Sequence, residues 1–281
     1  MNNVEHNDFS SLQIKAEKIR KRVIEIIYHA KGGHTGGSLS IVDILTVLYF
    51  NILNIDPGNP DMPERDRFIL SKGHSVESLY CVLAEAGFIK DAILQTYGQF
   101  NSLLTGHPTR KIPGIELNSG SLGHGLSVGV GMAIASRMDQ KGFRVYVLMG
   151  DGEQGEGSVY EAAMAGSHFQ LDNLVAIIDR NKLQISGKTE RIMTLEPIKT
   201  RWESFGWEVL ETDGHDMHDL TGTFKKIPVL KNKPHLIIAN TVKGKGISFL
   251  EDKPEWHHGV PDRDQFHRAI DEIQDRINKM I

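Results

Sequence analysis

Two stretches carry residue types that hold a hard cation against phosphate. In VYVLMGDGEQGEG, residues 145–157, an apolar, β-branched run stops at Gly150. Asp151 follows, and Gly152 lets the backbone turn tightly. A carboxylate at the carboxyl end of a buried strand, ahead of a helix whose amino end faces the same crevice, suits a metal that bridges to phosphate. In LVAIIDRNKLQISG a second apolar run ends at Asn181, whose amide oxygen is a neutral ligand of the same hard type. Gly-Asp-Gly alone marks a turn more often than a site. Followed by an apolar strand and an asparagine at this interval, it becomes much more specific.

Histidines form the second group. His34 lies in GGHTGGSLS, His74 in SKGHSVESLY, His107 in TGHPTRKIPG, and His257 and His258 in PEWHHG. A single histidine is more often a surface or core residue than a catalyst. Histidines that each stand beside glycine or proline in predicted loops are better explained by one polar pocket, where imidazoles move protons or stabilise charge.

Helical and strand patterns alternate along the chain, which predicts an α/β fold with a mostly parallel sheet and helices on both faces. Residues 11–31 place Leu12, Ala16, Ile19, Val23, Ile26 and Ile27 on one stripe of an amphipathic helix. After the glycine-rich turn, Ser38 or Ser40 is expected to cap a helix running to about Phe50. Strands are expected at 67–70, 144–149, 175–179, 207–211 and 235–240, and helices at 76–86, 159–168 and 262–280. Gly123, Ser127, Gly131 and Ala135 recur at helical spacing, so their helix can approach a neighbour closely. Residues 51–66 and 99–118 read as loops.

Composition excludes several classes. The 281 residues are 40% hydrophobic and 24% charged with a net charge of -4, so there is no basic excess for nucleic acid and no run long enough to span a bilayer. Cys81 is the only cysteine, and its apolar neighbours predict a buried, inert thiol. The polar start lacks the features of a secretion signal, and a cytoplasmic location is expected. No G-x-G-x-x-G follows the first strand, which argues against a dinucleotide-binding domain.

Taken together, the order of these segments resembles the transketolase family across nearly the whole chain. GHTGGSLS is similar to its first GH loop, SKGHSVESLY to its SxGHxxxxLY segment, TGHP…PGIELNSGSLGHG to its GHP…PGIE…GxLGxG segment, and EWHHG to its late HG loop. GDG followed by Asn181 resembles the thiamine-diphosphate signature. The resemblance implies a three-layer αβα thiamine-diphosphate-binding fold. It implies that Asp151, the Asn181 side chain and the Leu183 carbonyl hold magnesium, with calcium or manganese as substitutes. Gly152, His74 and His258 would contact the diphosphate, Gly120 and Leu122 the aminopyrimidine, and Ile185 the thiazolium. His34, His107 and His258 would face the sugar, and Glu156 would bridge to a partner's cofactor-activating glutamate. Without the family, Glu156 reads as an ordinary carboxylate of a first helical turn.

Departures from the pattern are Thr35 where the family has Pro, and His124 where it has Gln. With KGKG at 243–246 and the WHH spelling, they resemble the split transketolases, whose halves are separate chains. The expectation is one diphosphate-binding domain over residues 1–281, working in an α2β2 assembly with a C-terminal transketolase subunit on a separate chain. The implied reaction is transfer of a two-carbon ketol unit from a ketose, phosphorylated by default and branched or sulfonated as the alternative, to an aldose. A deoxyxylulose-phosphate synthase, the α chain of a 2-oxo-acid dehydrogenase and a silent regulatory module are the rival readings. The retained Asp151, Asn181 and pocket histidines weigh against the silent module.

Overall fold

The computed structural model of the chain describes residues 9–281, so the polar start at residues 1–8 lies outside the described residues. Seven strands form: β1 (Arg67–Leu70), β2 (Val145–Gly150), β3 (Leu174–Arg180), β4 (Leu183–Gln184), β5 (Gly187–Lys188), β6 (Glu208–Asp213) and β7 (His235–Asn240). Five of them make one sheet in the order β1-β2-β3-β7-β6, with every neighbouring pair parallel. β4 and β5 form a small antiparallel hairpin.

Strand residues alternate between two cores. Tyr146, Leu148, Val175, Ile177, Ile237 and Ala239 face one, and Val145, Val147, Met149, Leu174, Ala176 and Ile178 face the other. Both faces of a parallel sheet must be covered, which is why these strands read as continuous apolar runs. The first core is closed by α1 (Phe9–Ala30), α2 (Thr35–Leu39), α3 (Val42–Val47) and α4 (Val76–Glu85), with the short α5 (Asp91–Leu94) against α4. On the opposite face lie α6 (His124–Met138) and α7 (Gly157–His168). Two shorter helices, α8 (Thr189–Ile192) and α9 (Ile198–Ser204), follow the hairpin, and α9 seats Trp202 in this second core. Finally α10 (Met217–Lys225) and α11 (Arg263–Met280) return to the first face, where α11 packs along α1. The three-layer α/β arrangement expected from the alternating pattern is the one observed.

The five strands of the large sheet and the long helices fall within a residue or two of the expected bounds. At the amino end of α11, Asp262 and Gln265 form a reciprocal capping box, each side chain bonding the other's backbone N–H. One local expectation is corrected. The helix expected to run from Ser38 or Ser40 to about Phe50 is split into α2, from Thr35, and α3, from Val42, and neither serine caps the start of either. Ser38 Oγ donates to Glu77 Oε2 at 2.6 Å and Ser40 Oγ to Asp179 Oδ2 at 2.7 Å. A buried carboxylate is a stronger acceptor for a hydroxyl than the role of a local cap is worth.

Candidate functional site

β2 and β3 run side by side and in register, Gly150 opposite Asp179, so Asp151 and Asn181 emerge at adjacent carboxyl ends of the sheet. Ligand crevices of open α/β sheets lie at such edges. Here a cavity of about 390 Å³ opens, lined by Asp151, Gly152, Asn181, Leu183 and Ile185 from the β2 and β3 ends. His34, His74, Gly120, Leu122 and His257 also line it, with Lys72 and Lys243.

Asp151 is 1% exposed. Its Oδ1 accepts the Gly152 N–H at 2.7 Å and its Oδ2 the Lys182 N–H at 2.6 Å, while Arg180 Nη1 lies 3.1 Å from Oδ2. Burial, reinforced by the nearby Asp179 carboxylate, pushes the Asp151 acid up to about 6 despite Arg180. A carboxylate so reluctant to be charged is the kind that a divalent cation compensates. Asn181 donates from Nδ2 to Asp179 Oδ2 at 2.9 Å, which settles the orientation of its amide, and Oδ1 accepts the Leu183 N–H at 3.1 Å. Carboxylate, amide and carbonyl oxygen are the donor types that magnesium takes, and Asp151 Oδ1 and Asn181 Oδ1 each accept one hydrogen bond and keep a further lone pair. The residues present therefore fit a magnesium–diphosphate group.

Behind Asn181 sits a buried hub. Lys72 Nζ donates to Asp179 Oδ2 at 2.6 Å and to the Gly37 carbonyl at 3.0 Å. Asp179 also accepts from Ser40 and Thr241. Lys243, likewise buried, has its Nζ 2.8 Å from His257 Nδ1, and burial beside Lys72 pulls its ammonium down to about 8. Burial and neighbouring positive groups hold His34 down at about 4, His74 at about 2 and His257 at about 3. At neutral pH these imidazoles are neutral hydrogen-bonding groups. The two buried lysines bring positive charge to the cavity, that of Lys72 shared with Asp179.

Four imidazoles lie around His34. The His34 ring lies 4.3 Å from His258, 5.1 Å from His74, 5.6 Å from His257 and 6.4 Å from His107, measured between centroids. His107 and His258 are exposed beside His34 and do not line the cavity, whereas His257 does. Glu156 lies outside the cavity, exposed at the amino end of α7 and packed on Gly123. Sequence reasoning missed Lys72, Lys243, Gln184 and the buried Glu153, which accepts the Gly123 and Gly150 N–H groups at 2.8 and 3.1 Å. Charged residues in loops carry no local sign that they turn inward. Only the adjacency of Lys72 and His74 in SKGH offered a hint.

The fold and this cavity define an α/β domain with a ligand crevice at the carboxyl ends of a parallel sheet. The profile of the family described as "Transketolase, thiamine diphosphate binding domain" matches residues 11–273. A protein of Phocaeicola vulgatus, named as one subunit of an apulose-4-phosphate transketolase, is 56% identical over 270 residues, covering 96% of each chain. A Clostridium protein named 6-deoxy-6-sulfo-D-fructose transketolase subunit SqwG is 42% identical over 264 residues, 94% of this chain and 96% of that one. The solved transketolase of Leishmania mexicana superposes with a TM-score of 0.83 at 26% identity, over 97% of this chain but 46% of its own length. The chain belongs to the transketolase family of transferases, in its thiamine-diphosphate-binding domain.

Proposed function

We propose that this chain is one subunit of a split transketolase, and that with magnesium it binds thiamine diphosphate and supports transfer of a two-carbon ketol unit from a modified ketose to an aldose. The carrying observation is the convergence of Asp151, Asn181 and Leu183 with Lys72, Lys243 and three imidazoles around one cavity. Asp151, the Asn181 amide oxygen and the Leu183 carbonyl would hold the metal. Lys243, His74 and Gly152 would receive the diphosphate, Gly120 and Leu122 the aminopyrimidine, and Ile185 the thiazolium. Thiamine diphosphate supplies, when bound, the carbon nucleophile and electron sink for carbon–carbon cleavage. The chain contributes positioning and proton handling around it. His34, with His107 and His258 at the cavity mouth, would hydrogen-bond the sugar's hydroxyl and carbonyl oxygens. As a neutral imidazole His34 can donate to a developing oxyanion or take a hydroxyl proton.

A partner is part of the reading. Glu156 and Ile185 are exposed beside a cavity to which one chain contributes its walls, and the similar full-length matches are named as single subunits of their transketolases. The pyrimidine-binding and C-terminal domains would then lie on a second polypeptide, in an α2β2 assembly. Among the described residues no helix is long and apolar enough to cross a membrane. Identity at the level of 56% to a protein named for apulose 4-phosphate makes that sugar the first donor to test, ahead of a sulfonated fructose.

Calorimetry with thiamine diphosphate and magnesium tests the cofactor site, using this chain mixed with its genomic neighbour's product. Binding that drops by about 100-fold or more in Asp151→Ala is expected from loss of a charged metal ligand. Native-like binding in that variant would refute the site.

A further inference from the structure

Glu77 has no part in the chemistry described so far, yet it is a carboxyl group with no exposed surface at the back of the His34 loop. Three donors converge on it. Its Oε1 accepts the His34 backbone N–H at 3.0 Å and the Tyr97 hydroxyl at 2.7 Å, and its Oε2 accepts the Ser38 hydroxyl at 2.6 Å. The approach is close, because a Cβ built on Gly33 would stand 2.7 Å from Glu77 Oε1. Gly33 is also in a positive-φ conformation, at φ 155°. No lysine, arginine or histidine side chain pairs with Glu77 among the described residues, so its compensation comes from these hydrogen bonds alone.

The helix that carries Glu77 also adjoins the segments of His74 and His107. α4 follows His74 directly, and one turn beyond Glu77 the Tyr80 hydroxyl donates to the carbonyls of Thr105 and His107, each at 3.0 Å. The Tyr80 and Tyr97 rings meet edge to face with centroids 6.0 Å apart. A buried carboxyl is a poor way to stabilise a core, since an apolar side chain of similar volume serves as well or better. What it supplies is direction: an acceptor whose two oxygens specify where one backbone N–H and two hydroxyls must lie.

We infer that Glu77 is a positioning residue that fixes the His34 imidazole for the sugar through the backbone of residues 33–38. This rests on the reading that places His34 at the substrate. An imidazole misplaced by a fraction of its hydrogen-bonding distance loses most of its effect on a reacting atom. The substitution Glu77→Gln retains an acceptor oxygen for the His34 N–H, and Glu77→Leu removes both oxygens.

The test uses the assembled enzyme with hydroxypyruvate as the donor probe, and a double-mutant cycle with His34→Ala. In parallel, hydrogen exchange of the His34 amide is followed in the cofactor-free chain. Glu77→Leu is expected to lower kcat/KM by roughly 10- to 100-fold with thiamine-diphosphate affinity unchanged, and to speed exchange at His34. Glu77→Gln is expected to recover most of both. In the His34→Ala background Glu77→Leu should add almost nothing, because the two changes remove one effect. A loss that is the same in both backgrounds, or native exchange in Glu77→Leu, overturns the inference and leaves Glu77 as a core residue. If His34→Ala itself turns over normally, the placing of His34 at the sugar fails, and the exchange measurement still decides whether Glu77 orders the loop.

Discussion

At the residue scale the cavity divides its labour by charge. Its imidazoles are neutral, and positive potential comes from Lys72 and Lys243, two residues that a sequence presents as ordinary loop charges. Lys243 gives a pH signature. Its ammonium falls to about 8 in the free protein, below the ordinary lysine value, because burial and Lys72 disfavour the charge. A bound diphosphate favours the same charge, so thiamine-diphosphate affinity should weaken as pH rises from 8 toward 10. The free chain behaves oppositely, since the unfolded lysine holds its proton longer and folding is favoured as pH climbs through that window. In Lys243→Met calorimetry should show weaker binding at pH 7 that stays flat across pH 8–10. An unchanged decline would assign the pH effect to another group. Lys72 has a different signature. Its ion pair with Asp179 is 2.6 Å long with side chains 2% and 0% exposed, so Lys72→Met leaves a charge unanswered in the interior. Denaturant unfolding should register a loss of about 3–5 kcal/mol.

At the scale of elements, close packing of α6 on the sheet brings the amino end of this helix to the cavity. Gly129 lies against Val147, where an added Cβ would come within 2.6 Å of Cγ2, and Gly125 lies against Ser71, where it would come within 2.5 Å of Cβ. Alanine normally gains about 0.5–1 kcal/mol over glycine inside a helix. At Gly125 overlap with Ser71 outweighs that gain by roughly 1–3 kcal/mol, so Gly125→Ala should lower the thermal midpoint. At Gly131 an added Cβ meets nothing within 4 Å, and Gly131→Ala should raise it in the isolated chain. The spacing of small residues made close approach legible, but which members of the series touch the sheet is a matter of helix rotation. Ser127, Gly131 and Ala135 are exposed and Gly129 is buried, so the stripe read from the sequence lies beside the packed face and not on it.

At the scale of the whole molecule, two residues of the candidate site stand toward solvent. Glu156 stands on the exposed rim at the start of α7, and Ile185 is 72% exposed. An exposed carboxylate contributes little to the stability of its own chain, so Glu156→Gln should move the free energy of unfolding by no more than about 0.5 kcal/mol. In the assembled two-chain enzyme the same change should cut turnover at least tenfold, since the carboxylate would then bridge to the partner's cofactor-activating glutamate. Equal turnover in native and Glu156→Gln assemblies would remove Glu156 from the mechanism.

Much of this protein was legible without coordinates. Strands buried on both faces read as unbroken apolar runs, the amphipathic stripe of α1 needed only its spacing, and Asp151 and Asn181 stood where such strands end. Their meeting follows from a parallel sheet, which brings successive strand ends to one edge. Tertiary structure alone decided what faced inward. In the pair His257 and His258 the sequence is symmetric, and a single 3-10 turn over Pro254–His257 brings His257 into the cavity. Local sequence makes Ser38 or Ser40 a helix cap, whereas long-range carboxylates accept both hydroxyls in the fold. Lys72, Asp179, Glu77 and Arg180 are charged residues whose burial no local pattern announces. Most of their partners come from other elements, and only folding creates the low-dielectric surroundings in which those pairings matter.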